Sequence, residues 1–175
     1  MIRHPFAREF RKAAQAEYDE LRLRETFTPV ARPERARAIP LIWVFTYKLD
    51  ADGFLTKFKA RLCVRGDLQP ITTEETYAAT LATKVFRFLM ALVAAFDLET
   101  WQLDAISAFL NALVNQTVYV EAPPGFHLNS KVLLLLKALY SLRQAPRLWL
   151  DVLTQFLLEY GLQPASEEVC LFSND

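Results

Sequence analysis

Apolar residues recur along this chain with two different periods, and the switches between them outline its elements. Over 6–24 the positions Phe6, Phe10, Ala14, Tyr18 and Leu21 return at helical spacing with charged residues between them, which predicts an amphipathic helix that packs or tethers. Residues 26–40 carry Pro29, Pro33 and Pro40 in a scatter of charge, so a loop or linker is expected there. That divides the chain into an N-terminal piece, 1–40, and a main unit, 41–175. The period then drops to two. Trp43, Phe45 and Tyr47 share one face of a first strand, Asp50-Ala51-Asp52-Gly53 supplies a turn, and in the returning strand Phe58, Ala60, Leu62 and Val64 alternate with Lys57, Lys59, Arg61, Cys63 and Arg65.

After an irregular stretch over 67–82, helical spacing resumes through 83–96, where Phe86, Met90, Val93 and Phe96 are expected to form a buried stripe. Residues 98–103 read as a short strand. Ile106, Phe109, Leu110 and Leu113 follow at i, i+3, i+4 and i+7, as one face of a helix. A short strand over 118–120, a turn at Pro123-Pro124-Gly125 and a buried strand over 132–136 come next. Pro146 suits the first turn of a long helix, because its missing N–H costs nothing there. Trp149, Leu153, Phe156 and Tyr160 line the inner face of that helix and Gly161 ends it. Residues 169–172 are a candidate strand. Helices and strands mix without a βαβ rhythm and without an internal repeat, so the fold class is α+β.

Composition narrows this picture. The chain has 175 residues and is 53% hydrophobic, enough for a sizeable core and incompatible with a disordered or low-complexity chain. Charged residues follow the N-terminus, and the apolar stretch over 85–96 is short and carries Arg87, so neither a signal peptide nor a membrane span is expected. Cys63 and Cys170 with His4 and His127 make no zinc spacing, and both thiols are expected to be reduced and buried in an intracellular protein. The net charge is zero, yet residues 1–70 are richer in Lys and Arg than in Asp and Glu, and the remainder is the reverse. A basic region for a polyanion joined to an acidic region for cations would have this form, and so would chance surface composition. The cationic row on the second hairpin strand repeats every ~6.6 Å, a spacing suited to phosphates, although a solvated outer face looks the same.

The candidate chemistry centres on Asp104, placed where the strand over 98–103 hands over to a helix. A carboxylate at such a junction reaches a bound cation while its neighbours stay packed. An N-cap has the same spacing, and both readings stand on the residues alone.

Several segments together resemble the reverse transcriptase of copia-type LTR retrotransposons, the fungal ones above all. They are Ile42-Trp43-Val44-Phe45 with Asp52-Gly53, then Lys59-Ala60-Arg61-Leu62-Cys63-Val64-Arg65-Gly66, Thr76-Tyr77-Ala78, the block around Asp104, Pro123-Pro124-Gly125-Phe126, Ala138-Leu139-Tyr140, Gln144-Ala145-Pro146 and Cys170-Leu171-Phe172. Order and spacing match across nearly the whole chain.

The resemblance implies a right-hand polymerase fold, here incomplete, with a fingers hairpin and part of the palm. It implies two magnesium ions that activate a primer 3′-hydroxyl and stabilise the leaving pyrophosphate. Asp104 matches the first palm aspartate, with the carbonyl of Ala105 joining the coordination. Phe109 falls at the aromatic steric gate that selects deoxynucleotides. Lys59 and Arg61 would meet the triphosphate, and Tyr140 and Gln144 belong to a loop lining the nucleotide and template pocket. Ser141 stands where the family has a glycine, a strain of ~1–3 kcal/mol if that position needs positive φ. Ala112 likewise replaces a small residue.

The family's Tyr-x-Asp-Asp hairpin would follow Cys170-Leu171-Phe172 and is not in these 175 residues, so this polypeptide alone is expected not to polymerise DNA and to leave an exposed edge beside Asp104. By the same resemblance the partners are an RNA or DNA template-primer, deoxynucleoside triphosphates, and the integrase and RNase H domains of one polyprotein, in the cytoplasm inside a virus-like particle, with no membrane. A noncatalytic nucleic-acid-binding remnant and a nonfunctional relic are the alternatives.

Overall fold

The computed structural model describes residues 4–70, 76–129, 131–166 and 168–174. Among the described residues, three helices and three small antiparallel sheets make a mixed α and β structure.

The first helix, α1 (Ala7–Leu23), has the predicted face, with Phe10, Ala14, Tyr18 and Leu21 buried. Its last turn is closed by Arg24, whose guanidinium meets the Glu20 carboxylate at 2.6 Å. The Lys137 ammonium donates to the Arg24 carbonyl at 2.7 Å, a cation at the negative end of the helix dipole.

The expected loop over 26–40 is in part a strand. β1 (Phe27–Ala31) pairs antiparallel with β5 (Lys131–Leu135), Phe27 opposite Leu135 and Val30 opposite Val132. Proline is no obstacle there, because β1 is an edge strand and can spare an N–H. β4 (Tyr119–Val120) covers the other side of β5.

The hairpin is as predicted. β2 (Leu41–Leu49) pairs with β3 (Leu55–Val64), setting Trp43 opposite Leu62 and Val44 opposite Arg61. The turn is held by Asp50, whose carboxylate accepts from the backbone N–H groups of Asp52 and Phe54 at 3.1 and 2.8 Å, with Gly53 at φ +84°. On β3 the apolar set packs inward: Ala60, Leu62 and Val64 are buried. Ile39 joins the hairpin to the sheet, donating to the Tyr119 carbonyl and accepting from the Glu121 N–H, both at 2.9 Å. Tyr18, Phe27, Leu62, Val120, Leu133 and Leu139 are among the residues of the one core that results.

The second helix, α2 (Thr83–Phe96), forms where the spacing placed it, but its stripe is not buried. No residue of α2 is buried, and Phe86, Phe88, Met90 and Phe96 are among its exposed side chains. A helical period shows that a face exists and does not supply the surface that covers it. The expected strand over 98–103 is irregular chain, since no neighbour among the described residues offers it a ladder. The helix expected beyond Asp104 shrinks to one 3₁₀ turn, Ala108–Asn111, entered through Ser107 at φ +52°.

The third helix, α3 (Ala145–Glu159), carries Pro146 in its first turn as expected. Gly161, at φ +94°, ends it, and the Gly161 and Leu162 N–H groups reach back to the Leu158 and Leu157 carbonyls. Trp149 and Leu153 are half-buried, whereas Phe156 and Tyr160 are exposed, so the inner face is shorter than the spacing suggests. The candidate strand over 169–172 reduces to β7 (Phe172–Ser173), paired with β6 (Gln163–Pro164). Residues 71–75, inside the irregular stretch, lie outside the described residues. Cys63 is buried and Cys170 half-buried, both as free thiols.

Candidate functional site

The base of the hairpin, the 3₁₀ turn and the loop before α3 converge. β3 ends against the loop through the Val64 N–H, which donates to the Tyr140 carbonyl at 2.9 Å, beside a parallel bridge between Cys63 and Tyr140. Gly66 is required by this approach, since a Cβ there would run into the carbonyl of Ser141. Ser141 itself sits at φ +64°, so the position does need the left-handed conformation that glycine takes freely. The Arg143 guanidinium donates to the Gly66 carbonyl at 2.8 Å and completes the junction.

This junction brings four of the predicted residues together. Arg61 lies with its guanidinium carbon 6.0 Å from the centre of the Tyr140 ring, a cation facing an aromatic face. Phe109 meets the same ring edge-on at 5.9 Å, so Tyr140 is flanked by Arg61 and by the candidate gate. Gln144, at the start of α3, is buried; its carbonyl oxygen accepts from the Gln69 side-chain N–H at 2.7 Å, and its own Nε2 has no partner among the described residues. Lys59, two residues before Arg61, extends the cationic face along β3 with Lys57 and, across the strand pair, Lys48.

The electrostatics mark this corner. Burial, and then the charges of Arg61 and Lys48, push the Lys59 ammonium below its ordinary range, against the pull of Glu17. Burial pushes the Tyr140 phenol up, Glu17 adds to the rise and Arg61 opposes it. Burial likewise raises Glu17, while the Leu62 backbone N–H, Lys59 and Arg61 favour its ionised form. A cationic face beside a fixed aromatic ring can hold a polyanion that carries a planar group.

Two residues that sequence reasoning missed contribute here. Gln69 links Gln144 to the Arg143 backbone N–H, which it accepts at 3.1 Å. Glu17 is the carboxylate among the cations. It lies on the flank of α1 rather than on the apolar stripe, so helical spacing gave no signal for it.

Asp104 and Ala105 are not brought to this corner by a strand–helix junction. Both are exposed in irregular chain after α2, and Asp104 is not an N-cap, because the residue at the N-cap of the 3₁₀ turn is Ser107. The Asn111 side chain reaches the Ala108 carbonyl at 3.3 Å and shapes that turn without Asp104. The donor set does not fit a metal pair. Among the described residues no three His, Cys, Asp or Glu side chains group together, at Asp104 or elsewhere.

Comparison with known proteins carries the argument further. The family model described as reverse transcriptase (RNA-dependent DNA polymerase) matches residues 24–175. The chain is 33% identical over 177 residues to the retrovirus-related Pol polyprotein from transposon TNT 1-94 of Nicotiana tabacum, covering 98% of this chain and 13% of that protein. It is 32% identical over 145 residues to the retrovirus-related Pol polyprotein from transposon RE1 of Arabidopsis thaliana, covering 80% of this chain and 10% of that protein. To the truncated transposon Ty1-A Gag-Pol polyprotein of Saccharomyces cerevisiae it is 29% identical over 141 residues, 79% of this chain and 11% of that protein. The chain therefore spans about a tenth of the length of these curated relatives. No solved structure gives a significant match. With the family model covering all but the first 23 residues, and relatives of copia type matching over most of the same span, this chain belongs to the reverse transcriptase (RNA-dependent DNA polymerase) family of copia-type transposons.

Proposed function

We propose that these residues are the fingers and upper palm of a right-hand RNA-directed DNA polymerase, with the corner around Tyr140 as its nucleotide pocket. The observation that carries the reading is the convergence of Arg61, Tyr140 and Phe109 from three separate segments, with the buried Gln144 beside them. In this reading Lys59 and Arg61 hold the triphosphate, Phe109 is the wall that excludes a 2′-hydroxyl, and Tyr140 and Gln144 bound the pocket. The substrates are a template-primer and deoxynucleoside triphosphates, and integrase and RNase H domains accompany it in one polyprotein.

Use of a divalent metal is general to the family. Asp104 is the residue proposed to contribute to it, as magnesium with the Ala105 carbonyl. The described residues gather no set of three ligating side chains around Asp104, so competence is proposed to depend on further polypeptide, as in the much longer relatives. A single observation favours a second reading, that of a noncatalytic nucleic-acid-binding remnant: Asp104 is exposed and belongs to no group of three ligating side chains among the described residues.

Primer extension on an RNA template separates the two. The chain continued through a further domain's length is expected to incorporate deoxynucleotides, to lose at least ~10²-fold in rate on Asp104→Ala, and to admit ribonucleotides on Phe109→Ala. Incorporation unaffected by Lys59→Ala with Arg61→Ala would remove the proposed pocket.

A further inference from the structure

On the hairpin face opposite Val44 and Arg61, two cavities meet at Phe126. One, about 660 Å³, lies between α1 and β2, with Trp43, Phe45 and Phe126 in its wall and Arg11 and Gln15 on its rim. The other, about 510 Å³, continues past Tyr18, Arg22 and His127. Arg11, Gln15, Tyr18 and Arg22 fall at i, i+4, i+7 and i+11 of α1, so one helix face runs the length of both, roughly 16 Å.

The aromatic wall is already assembled. Trp43 stacks on Phe45 at 6.2 Å and lies 5.9 Å from Phe126, and Phe126 lies 4.3 Å from Tyr18. The Trp43 indole N–H donates to the Pro124 carbonyl at 3.0 Å. The rings are thus turned largely on one another, which leaves an apolar trough rather than open stacking platforms. Charge is confined to its ends. Arg11 and Arg22 are exposed, and neither makes an ion pair among the described residues. Between them along the helix stands the Asp19 carboxylate, exposed, with the Gln15 side-chain N–H donating to both of its oxygens at 3.0 and 3.1 Å.

We infer that this trough docks an extended peptide of another polypeptide segment, one with a carboxylate near each end and apolar residues such as proline or leucine between. The charges are complementary in position as well as in sign. An extended chain advances ~3.3 Å per residue, so carboxylates five positions apart reach Arg11 and Arg22 together while the residues between them lie over Trp43 and Phe126. A nucleic-acid strand suits the trough less well. It is charged at every residue and would set a phosphate beside Asp19, where a peptide can be neutral. Because the wall is preformed, docking orders the peptide and little else. The inference draws only on α1, β2 and the loop at Pro124, and is independent of the polymerase reading.

The test is fluorescence anisotropy of a labelled six-residue peptide, glutamate at both ends with proline and leucine between, titrated with the full chain. Saturable binding that weakens with salt is expected. The same peptide ending in glutamine is expected to bind at least tenfold more weakly, a comparison that needs no variant protein. Arg11→Glu with Arg22→Glu, both at exposed positions, is expected to raise the Kd of the acidic peptide at least tenfold and to admit a peptide ending in lysine that the parent chain rejects. Equal binding of the glutamate and glutamine peptides overturns the inference, as does an acidic peptide that fails to bind. Displacement of the acidic peptide by oligouridine, undiminished in the double reversal, would assign the trough to nucleic acid and overturn it too. None of these outcomes bears on primer extension, which tests the polymerase reading separately.

Discussion

Helix α1 is studded with charge and yet buries Phe10, Ala14, Tyr18 and Leu21, whereas α2 has only Lys84 and Arg87 among its 14 residues and buries none. The difference lies in what each helix finds to lie against. α1 meets the aromatic face of the hairpin, where Phe10 sits 5.0 Å from both Phe45 and Phe58 and 5.3 Å from Tyr47. α2 meets no comparable surface among the described residues, and Leu98, Trp101, Leu103 and Ile106 beyond it are exposed too. Apolar content sets what burial would yield, and only a facing surface realises it.

That contrast can be broken at several points. Leu62 is fully buried beneath α1 and the sheet, and Leu62→Ala is expected to lower the unfolding free energy by about 2–5 kcal/mol in a urea titration. A loss below about 1 kcal/mol would mean that the hairpin core is no better packed than α2. Gly66→Ala is next, with an expected cost of about 1–3 kcal/mol, because its Cβ must displace the Ser141 carbonyl, which is backbone. Ser141→Gly should act in the opposite sense and stabilise by about 1 kcal/mol through relief of the left-handed strain, visible as a higher urea midpoint. On α2 itself, Phe88→Ser is expected to shift stability by less than about 0.5 kcal/mol, since the side chain is already 62% exposed.

The last prediction is read in pH. Burial raises Glu17 above its ordinary 4.5, so the folded chain holds that proton more tightly than the unfolded one. The associated stability is complete below about 4.5 and is lost as pH rises through the folded value. Glu17→Gln keeps it at all pH values. The variant should therefore melt above the parent chain at pH 7, with the gap closing toward pH 4.

Sequence patterns located α1, the hairpin, α2 and α3 because each is a local periodicity with its own punctuation: the Asp-Gly turn, Pro146, Gly161. β1 was hidden by Pro29, since its strand character comes from pairing with β5 about a hundred residues later. The block around Asp104 failed for the complementary reason. Its apolar residues have the right spacing, but a strand exists only with a partner, and none is present among the described residues. At the candidate site, Phe109, Tyr140 and Gln144 were singled out by family resemblance alone, and Arg61 also by the cationic alternation of its strand, and the structure brings these four side chains together. Gln69 and Glu17 were not, because a hydrogen bond across 75 residues and a carboxylate on a helix flank leave no periodic trace.

The junction of β3 with the Tyr140 loop has a mechanical consequence. Val64 to Tyr140, Arg143 to Gly66 and Gln69 to Gln144 tie the base of the hairpin to the start of α3 at three successive points. A hinge there would have to break all three, so any bending of the hairpin is expected nearer its Asp50–Gly53 tip, with its root held to α3. In any closing stroke over a bound ligand, Arg61 and the Tyr140 ring travel as one piece.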